Sequence, residues 1–340
     1  MSALQDRHTV ISNTLGSAVA GIVSRICTHP IDTAKSRLQM QYKLAPGGTA
    51  KNPPHYRGTL DVLIKTFRTE GIRGLYRGFG AILVGGTPGT VTYLCTYEFA
   101  KDHLGRLKQG SSITNHEGGD FLVHFSAGMI AETVACIIYV PVDVIKERLQ
   151  VQHTTYHESS DAYKGSLDAL KRIAKTEGLS GIYKGYAATL ASFGPFSALY
   201  FVFYEKSKAE TRQYLFGNSE EPVGSLNNRH IPFSWLILCS ASSGALASWL
   251  TSPLDMAKLR LQVQRGESYK RGNVATTSSS SILAYRGVLD CLQTVYRQSG
   301  IRGLFRGAGA RVCFYAPATG VTMSCYDACR SFVSKLLAEE

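Results

Sequence analysis

Three aspartates each stand three residues ahead of a lysine: Asp32 and Lys35, Asp143 and Lys146, Asp255 and Lys258. Each pair belongs to a longer run of one pattern, Pro-x-Asp-x-x-Lys-x-Arg-Leu-Gln, beginning at Pro30, Pro141 and Pro253. Three residues make about one helical turn, so each acid and its base share a helix face. Within a single helix such a pair contributes only about 0.2–0.5 kcal/mol. If the three helices converge, each acid can instead meet the lysine of the next helix, and the six charges close a ring. A reversed Asp143 is expected to be partly rescued by a reversed Lys35. A ring of this kind is a reversible electrostatic latch, not bond-making machinery, and no enzyme activity is expected.

A second set of charges recurs in the same order. Tyr97-Glu98 precedes Lys101, Tyr204-Glu205 precedes Lys208, and Tyr326-Asp327 precedes Arg330. Between the two charged sets lie two aromatic-basic-glycine triplets per copy. The first group is Tyr56-Arg57-Gly58, Tyr163-Lys164-Gly165 and Tyr285-Arg286-Gly287. The second is Tyr76-Arg77-Gly78, Tyr183-Lys184-Gly185 and Phe305-Arg306-Gly307. Glycine at a helix start frees backbone N–H groups that can hold a phosphate. The six glycines are therefore candidate phosphate sites.

These motifs need elements to carry them, and the repetition defines those elements. The three latch motifs start 111 and 112 residues apart, so the 340-residue chain is three tandem repeats of about 110 residues. The repeats span residues 10–108, 118–213 and 229–337. Each reads as a long helix with a proline, a short amphipathic helix, and a second long helix with a central proline (Pro88, Pro195, Pro317). The long apolar stretches cover roughly 12–40, 79–103, 120–150, 187–209, 232–262 and 309–334. Each exceeds the ~20 residues a helix needs to cross a bilayer. Proline inside a soluble helix costs about 3 kcal/mol, whereas membrane helices re-satisfy the freed backbone groups through neighbours. The expected fold is an all-α membrane protein with six transmembrane helices.

Composition agrees once it is read per repeat. A mean hydropathy of −0.05 averages membrane helices with polar faces and loops. The 37 basic residues against 25 acidic ones, a net charge of +12, fall beside helix ends and not in one patch, so nucleic-acid binding is not indicated. The eight cysteines show neither zinc nor disulfide spacing. Segments 42–55 and 265–283 read as loops, and Met1–Thr9 lacks the Arg- and Ser-rich character of a transit peptide.

On these three motif copies the chain resembles the mitochondrial carrier family over residues ~10–335. The resemblance implies a pseudo-threefold bundle around a central cavity, with the three short amphipathic helices on the matrix side. It implies a multi-pass protein of the mitochondrial inner membrane that exchanges a small molecule by alternating access and functions as a monomer without a cofactor. Asp32, Lys35, Asp143, Lys146, Asp255 and Lys258 match the family's matrix gate, with Gln39, Gln150 and Gln262 as its glutamine brace. Tyr97, Glu98, Lys101, Tyr204, Glu205, Lys208, Tyr326, Asp327 and Arg330 match the cytoplasmic gate. Gly58, Gly78, Gly165, Gly185, Gly287 and Gly307 match cardiolipin positions. One departure stands out: Ser299-Gly300 replaces the acid-glycine pair seen at Glu70-Gly71 and Glu177-Gly178, which weakens an anchor on the third short helix.

In the family, substrate contacts lie just before the prolines. Here that selects Arg25, Gly85, Ser192, Phe193, Arg311 and Tyr315. Arg25 and Arg311 suit a carboxylate or phosphate, and the two rings suit a planar group. Small residues recur four apart at Ser17 and Gly21 and at Ser240 and Gly244, but the second repeat has Gly128 and Glu132. Glu132 can balance charge or receive an amine or proton. The expected cargo is a small anionic or zwitterionic metabolite. An iron-type metal-ion carrier or a proton conductor on the same fold is the alternative.

Overall fold

The computed structural model describes residues 2–41, 56–109, 117–155, 162–216, 231–264 and 285–314. Tyr315, Tyr326, Asp327 and Arg330 and the segments 42–55 and 265–283 lie outside the described residues. All regular structure among those described is helical: α1 Ser2–Met40, α2 Thr59–Leu75, α3 Phe79–Gln109, α4 Glu117–Thr155, α5 Ser166–Ile182, α6 Tyr186–Phe216, α7 Phe233–Leu250, α8 Ser252–Val263 and α9 Val288–Leu304. The order long–short–long recurs, as the repeats require. Leu122–Gln152, Tyr186–Leu215 and Phe233–Leu250 are long and apolar enough to cross a membrane.

Pro30, Pro88, Pro141 and Pro195 lie inside continuous helices. The third latch motif differs. The sequence predicts one helix over 232–262, but α7 stops at Leu250 and α8 restarts at Ser252, with Pro253 in its first turn. Proline supplies no N–H and prefers that position.

The chain forms two units by its contacts. One comprises Met1–Asp32, Leu199–Leu250 and Gly309–Glu340; the other comprises Thr33–Ala198 and Thr251–Ala308. In the second unit each short helix packs its inner face on the helix that carries its own repeat's latch motif. Ala169 and Ile173 of α5 join Cys136, Val140, Val144 and Leu149 of α4. Cys291 and Val295 of α9 join Met256, Ala257 and Leu261 of α8. Val62 and Thr66 are the corresponding buried residues of α2. The i, i+4 spacing puts each pair on one face.

The short helices start alike. Asp61, Asp168 and Asp290 each accept the backbone N–H of the base four residues earlier, Arg57, Lys164 and Arg286, at 2.9 Å. This satisfies an amide at each helix entrance. The Lys65 ammonium and the Arg57 amide hold the Asp61 carboxyl below its usual range. Their outer faces repeat too: Leu60, Leu167 and Leu289 are 74%, 74% and 75% exposed. Ile72, Leu179 and Ile301 are exposed as well. Exposed aliphatic side chains on a short helix with bases nearby suit the boundary of a bilayer.

Each short helix bends at one glycine, Gly71, Gly178 or Gly300, with φ between 62° and 68° and ψ near −160°. A Cβ at Gly178 would meet nothing within 4 Å, so only backbone strain opposes a side chain there. Gly165, at φ 179° and equally open, has no such constraint. Gly178→Ala should therefore destabilise the detergent-purified protein by about 1–3 kcal/mol, while Gly165→Ala leaves its thermal unfolding nearly unchanged.

Candidate functional site

The latch motifs sit on the ends of α1, α4 and α8, and within the second unit they meet. Lys258 Nζ lies 2.8 Å from Asp143 Oδ2, and Lys35 Nζ lies 2.8 Å from Asp255 Oδ2. Each acid thus reaches the lysine of another repeat. The partner of Asp143 is Lys258, of the next repeat; Lys35, expected to rescue a reversed Asp143, pairs with Asp255 instead. Lys146 contacts the neighbouring Glu147 at 3.1 Å. Asp32 belongs to the first unit. Gln39 donates to Asp255 Oδ2 at 3.2 Å, directly bracing one pair. Gln150 and Gln262 turn their amides to the hydroxyls of Thr33 and Thr189, at 3.1 and 3.5 Å.

A second, more deeply buried set of contacts ties the same three helices together, and the sequence reading missed it. The motif arginines donate in a cycle to the backbone carbonyls of the next motif's glutamine. Arg37 Nε donates to Gln150 O at 3.1 Å, Arg148 Nε to Gln262 O at 3.1 Å, and Arg260 Nη2 to Gln39 O at 3.3 Å. These arginines are 1%, 2% and 5% exposed. Two of them are neutralised by forked pairs with the short helices. Arg37 binds both oxygens of Glu70, and Arg148 both oxygens of Glu177, with the second contacts at 3.0 and 2.9 Å. In the third repeat Ser299 replaces the carboxylate, and Arg260 Nη1 donates to the Tyr285 hydroxyl at 3.1 Å. The signal was present in the sequence, as a glutamate before glycine and an arginine two residues after the motif lysine. Its meaning depends on which helices touch.

The six lipid candidates divide into two kinds. Gly58, Gly165 and Gly287 have extended backbones with open space around them. Gly78, Gly185 and Gly307 have φ of 83–84°, and a Cβ on each would press on the next latch helix. At Gly185 it would lie 2.7 Å from Gln262 Cγ. For these three, close packing explains the glycine by itself. Burial lowers the affinity of Arg77, Lys184 and Arg306 for their protons.

On the other charged set, Lys208 pairs with Glu205 of its own helix at 3.0 Å and lies over the Tyr204 ring. Tyr97 Oη shares a hydrogen bond with His124 Nδ1 at 2.8 Å, and Glu98 and Lys101 are exposed.

Among substrate candidates, Gly85 also has a packing role. A Cβ there would fall 2.1 Å from Val142 Cγ2, so this glycine serves the packing of α3 on α4. Ser192 is buried, and Phe193 meets Tyr93 edge-on with centroids 6.4 Å apart. In the first unit Arg25 is half-buried and Arg311 is 5% exposed. Glu132 is 9% exposed in the second unit and accepts from Cys136 Sγ at 3.5 Å.

The tandem repeats, the membrane-length helices and the interlocked charged motifs define a three-repeat membrane transporter. The family profile described as mitochondrial carrier protein matches residues 6–108, 118–214 and 229–336. The chain belongs to the mitochondrial carrier family, whose members work in the inner mitochondrial membrane. It is 32% identical over 319 residues to mitochondrial substrate carrier family protein E of Dictyostelium discoideum, covering 92% of this chain and 93% of that one. It is 26% identical to human mitoferrin-1, covering 96% and 85%. It is 29% identical to the mitochondrial aspartate-glutamate transporter AGC1 of Saccharomyces cerevisiae, covering 94% of this chain and 31% of that longer protein.

Removing the acid from a buried pair leaves an uncompensated guanidinium. Glu177→Gln should cost about 3–5 kcal/mol of stability, read as a fall in thermal unfolding temperature, whereas Ser299→Glu should raise that temperature.

Proposed function

We propose that this carrier exchanges a small anionic or zwitterionic metabolite across the inner mitochondrial membrane by alternating access. The observation that carries this reading is the cross-repeat pairing of Asp143 with Lys258 and of Lys35 with Asp255. Paired charges close one side at a low-dielectric constriction, where an unpaired charge is costly. The Arg37, Arg148 and Arg260 cycle holds the same helix ends in register. Cargo bound between the helices must favour the other closed state by enough to open the pairs. The cytoplasmic set Tyr97, Glu98, Lys101, Tyr204, Glu205, Lys208, Tyr326, Asp327 and Arg330 then forms the opposing gate.

Arg25 and Arg311 supply anion contacts. Cardiolipin phosphates occupy the short-helix starts at Gly58, Gly165 and Gly287. They also offset the burial of Arg77, Lys184 and Arg306 beside Gly78, Gly185 and Gly307. The protein acts as a transporter and not an enzyme, and it works as a monomer. A metal-ion cargo of the iron type is the second reading. It is favoured by the likeness to mitoferrins and by the carboxylate and thiol of Glu132 and Cys136 side by side.

The test is charge reversal in cardiolipin-containing liposomes. Asp143→Lys should lower counter-exchange of the carrier's substrate more than ~10-fold, as expected for a lost buried pair. Adding Lys258→Asp should restore a substantial part, and adding Lys35→Asp should not. Full exchange by the single reversal would overturn the gate.

A further inference from the structure

We infer that Glu132 receives an ammonium group of the cargo, so that the transported compound carries a positive charge and is not a pure anion. The inference rests on the transporter reading above and concerns the chemistry of its cargo.

Glu132 is nine-tenths buried, and among the described residues it makes no salt bridge. Its polar contact is the Cys136 thiol at 3.5 Å, a weak donor. A carboxylate withdrawn from water needs a positive partner or loses its charge. Packing does not ask for an acid here, because the corresponding residues of the other repeats are Gly21 and Gly244. The position faces the latch: eleven residues, about three turns, separate Glu132 from Asp143, which puts both on one face of α4. Glu132 and Cys136 both feel the charges of Lys258 and Asp143. Lys258 is already held by Asp143 at 2.8 Å and does not reach Glu132.

Rings flank the acid from two other helices. Tyr93 of α3 places its hydroxyl 3.7 Å from where a Cβ on Gly128 would sit, one turn before Glu132. Phe193 of α6 meets that Tyr93 ring edge-on. Tyr186 of α6 donates to the carbonyl of Thr133, the residue after Glu132, at 2.6 Å. A carboxylate beside aromatic rings favours an organic ammonium over a bare proton or a hydrated metal ion. An ammonium bound there would repel Lys258 and attract Asp143, loosening their pair. Cargo binding is thereby coupled to opening of the latch.

The test compares amino acids with the keto acids that differ from them at one group: glutamate with 2-oxoglutarate, aspartate with oxaloacetate, alanine with pyruvate. S-adenosylmethionine, ferrous iron and an imposed pH gradient complete the set. In liposomes the wild type should take up an ammonium-bearing compound, preferring an amino acid over its keto partner by ~100-fold. Glu132→Gln and Glu132→Gly should abolish that preference, and Glu132→Asp should keep part of it. A measurement on the wild type alone guards against misfolded variants. The preferred amino acid should raise its unfolding temperature in detergent, and the keto partner should not. Uptake confined to keto acids, an unchanged preference in Glu132→Gln, or Glu132-dependent flux of iron or protons without any ammonium would each overturn the inference. The two readings fail apart. Keto-acid exchange that still responds to reversal at Asp143 and Lys258 leaves the transporter standing without its ammonium site. Silence of every compound in the wild type removes both.

Discussion

Charge withdrawn from water is the constraint on which the rest of this protein depends. Three arginines, three lysines and their acids are concentrated on a few turns of α1, α4 and α8, in surroundings where an unpaired charge costs several kcal/mol. Every feature around them reads as a response. The forks from Glu70 and Glu177 neutralise Arg37 and Arg148 from the short helices. The glutamine carbonyls accept the remaining arginine donors in a cycle that joins each repeat to the next. Glycines at 78, 185 and 307 let the chain after each short helix pass close beside the next latch motif.

The two layers of charge differ in how easily they can part. The arginines are almost wholly buried and hold several acceptors each, which suits a permanent fastening. The lysine–aspartate pairs keep part of their surface accessible, with side chains 14–29% exposed, and hold one another by single contacts. A latch must be strong enough to close and weak enough for cargo to open. Placing the weaker pairs beside the stronger fastening lets one layer separate without dissolving the other.

The threefold pattern is informative mainly where it fails. Ser299 stands where Glu70 and Glu177 fork onto Arg37 and Arg148, and Arg260 donates to the Tyr285 hydroxyl. Pro253 begins α8 where Pro30 and Pro141 lie within helices. Glu132 sets an acid where the other repeats have glycine. Symmetric positions serve the machinery that all three repeats share. A cargo has no threefold symmetry, so what recognises it must break the pattern.

Repetition made the repeats, the helix order and the charged motifs legible from the residues alone, because three copies at one interval reveal what no single copy can. Composition and periodicity likewise placed the short amphipathic helices and the acid of Glu132. Pairing was another matter. Whether Asp143 meets Lys35 or Lys258 depends on which helix end lies beside which, and a period of 111 or 112 residues is silent on that. The roles of Arg37, Arg148 and Arg260, and of Gly85 against Val142, were hidden for the same reason. Local sequence sets what a side chain can do; the distance to a neighbour over a hundred residues away sets what it does, and only the folded chain contains that distance.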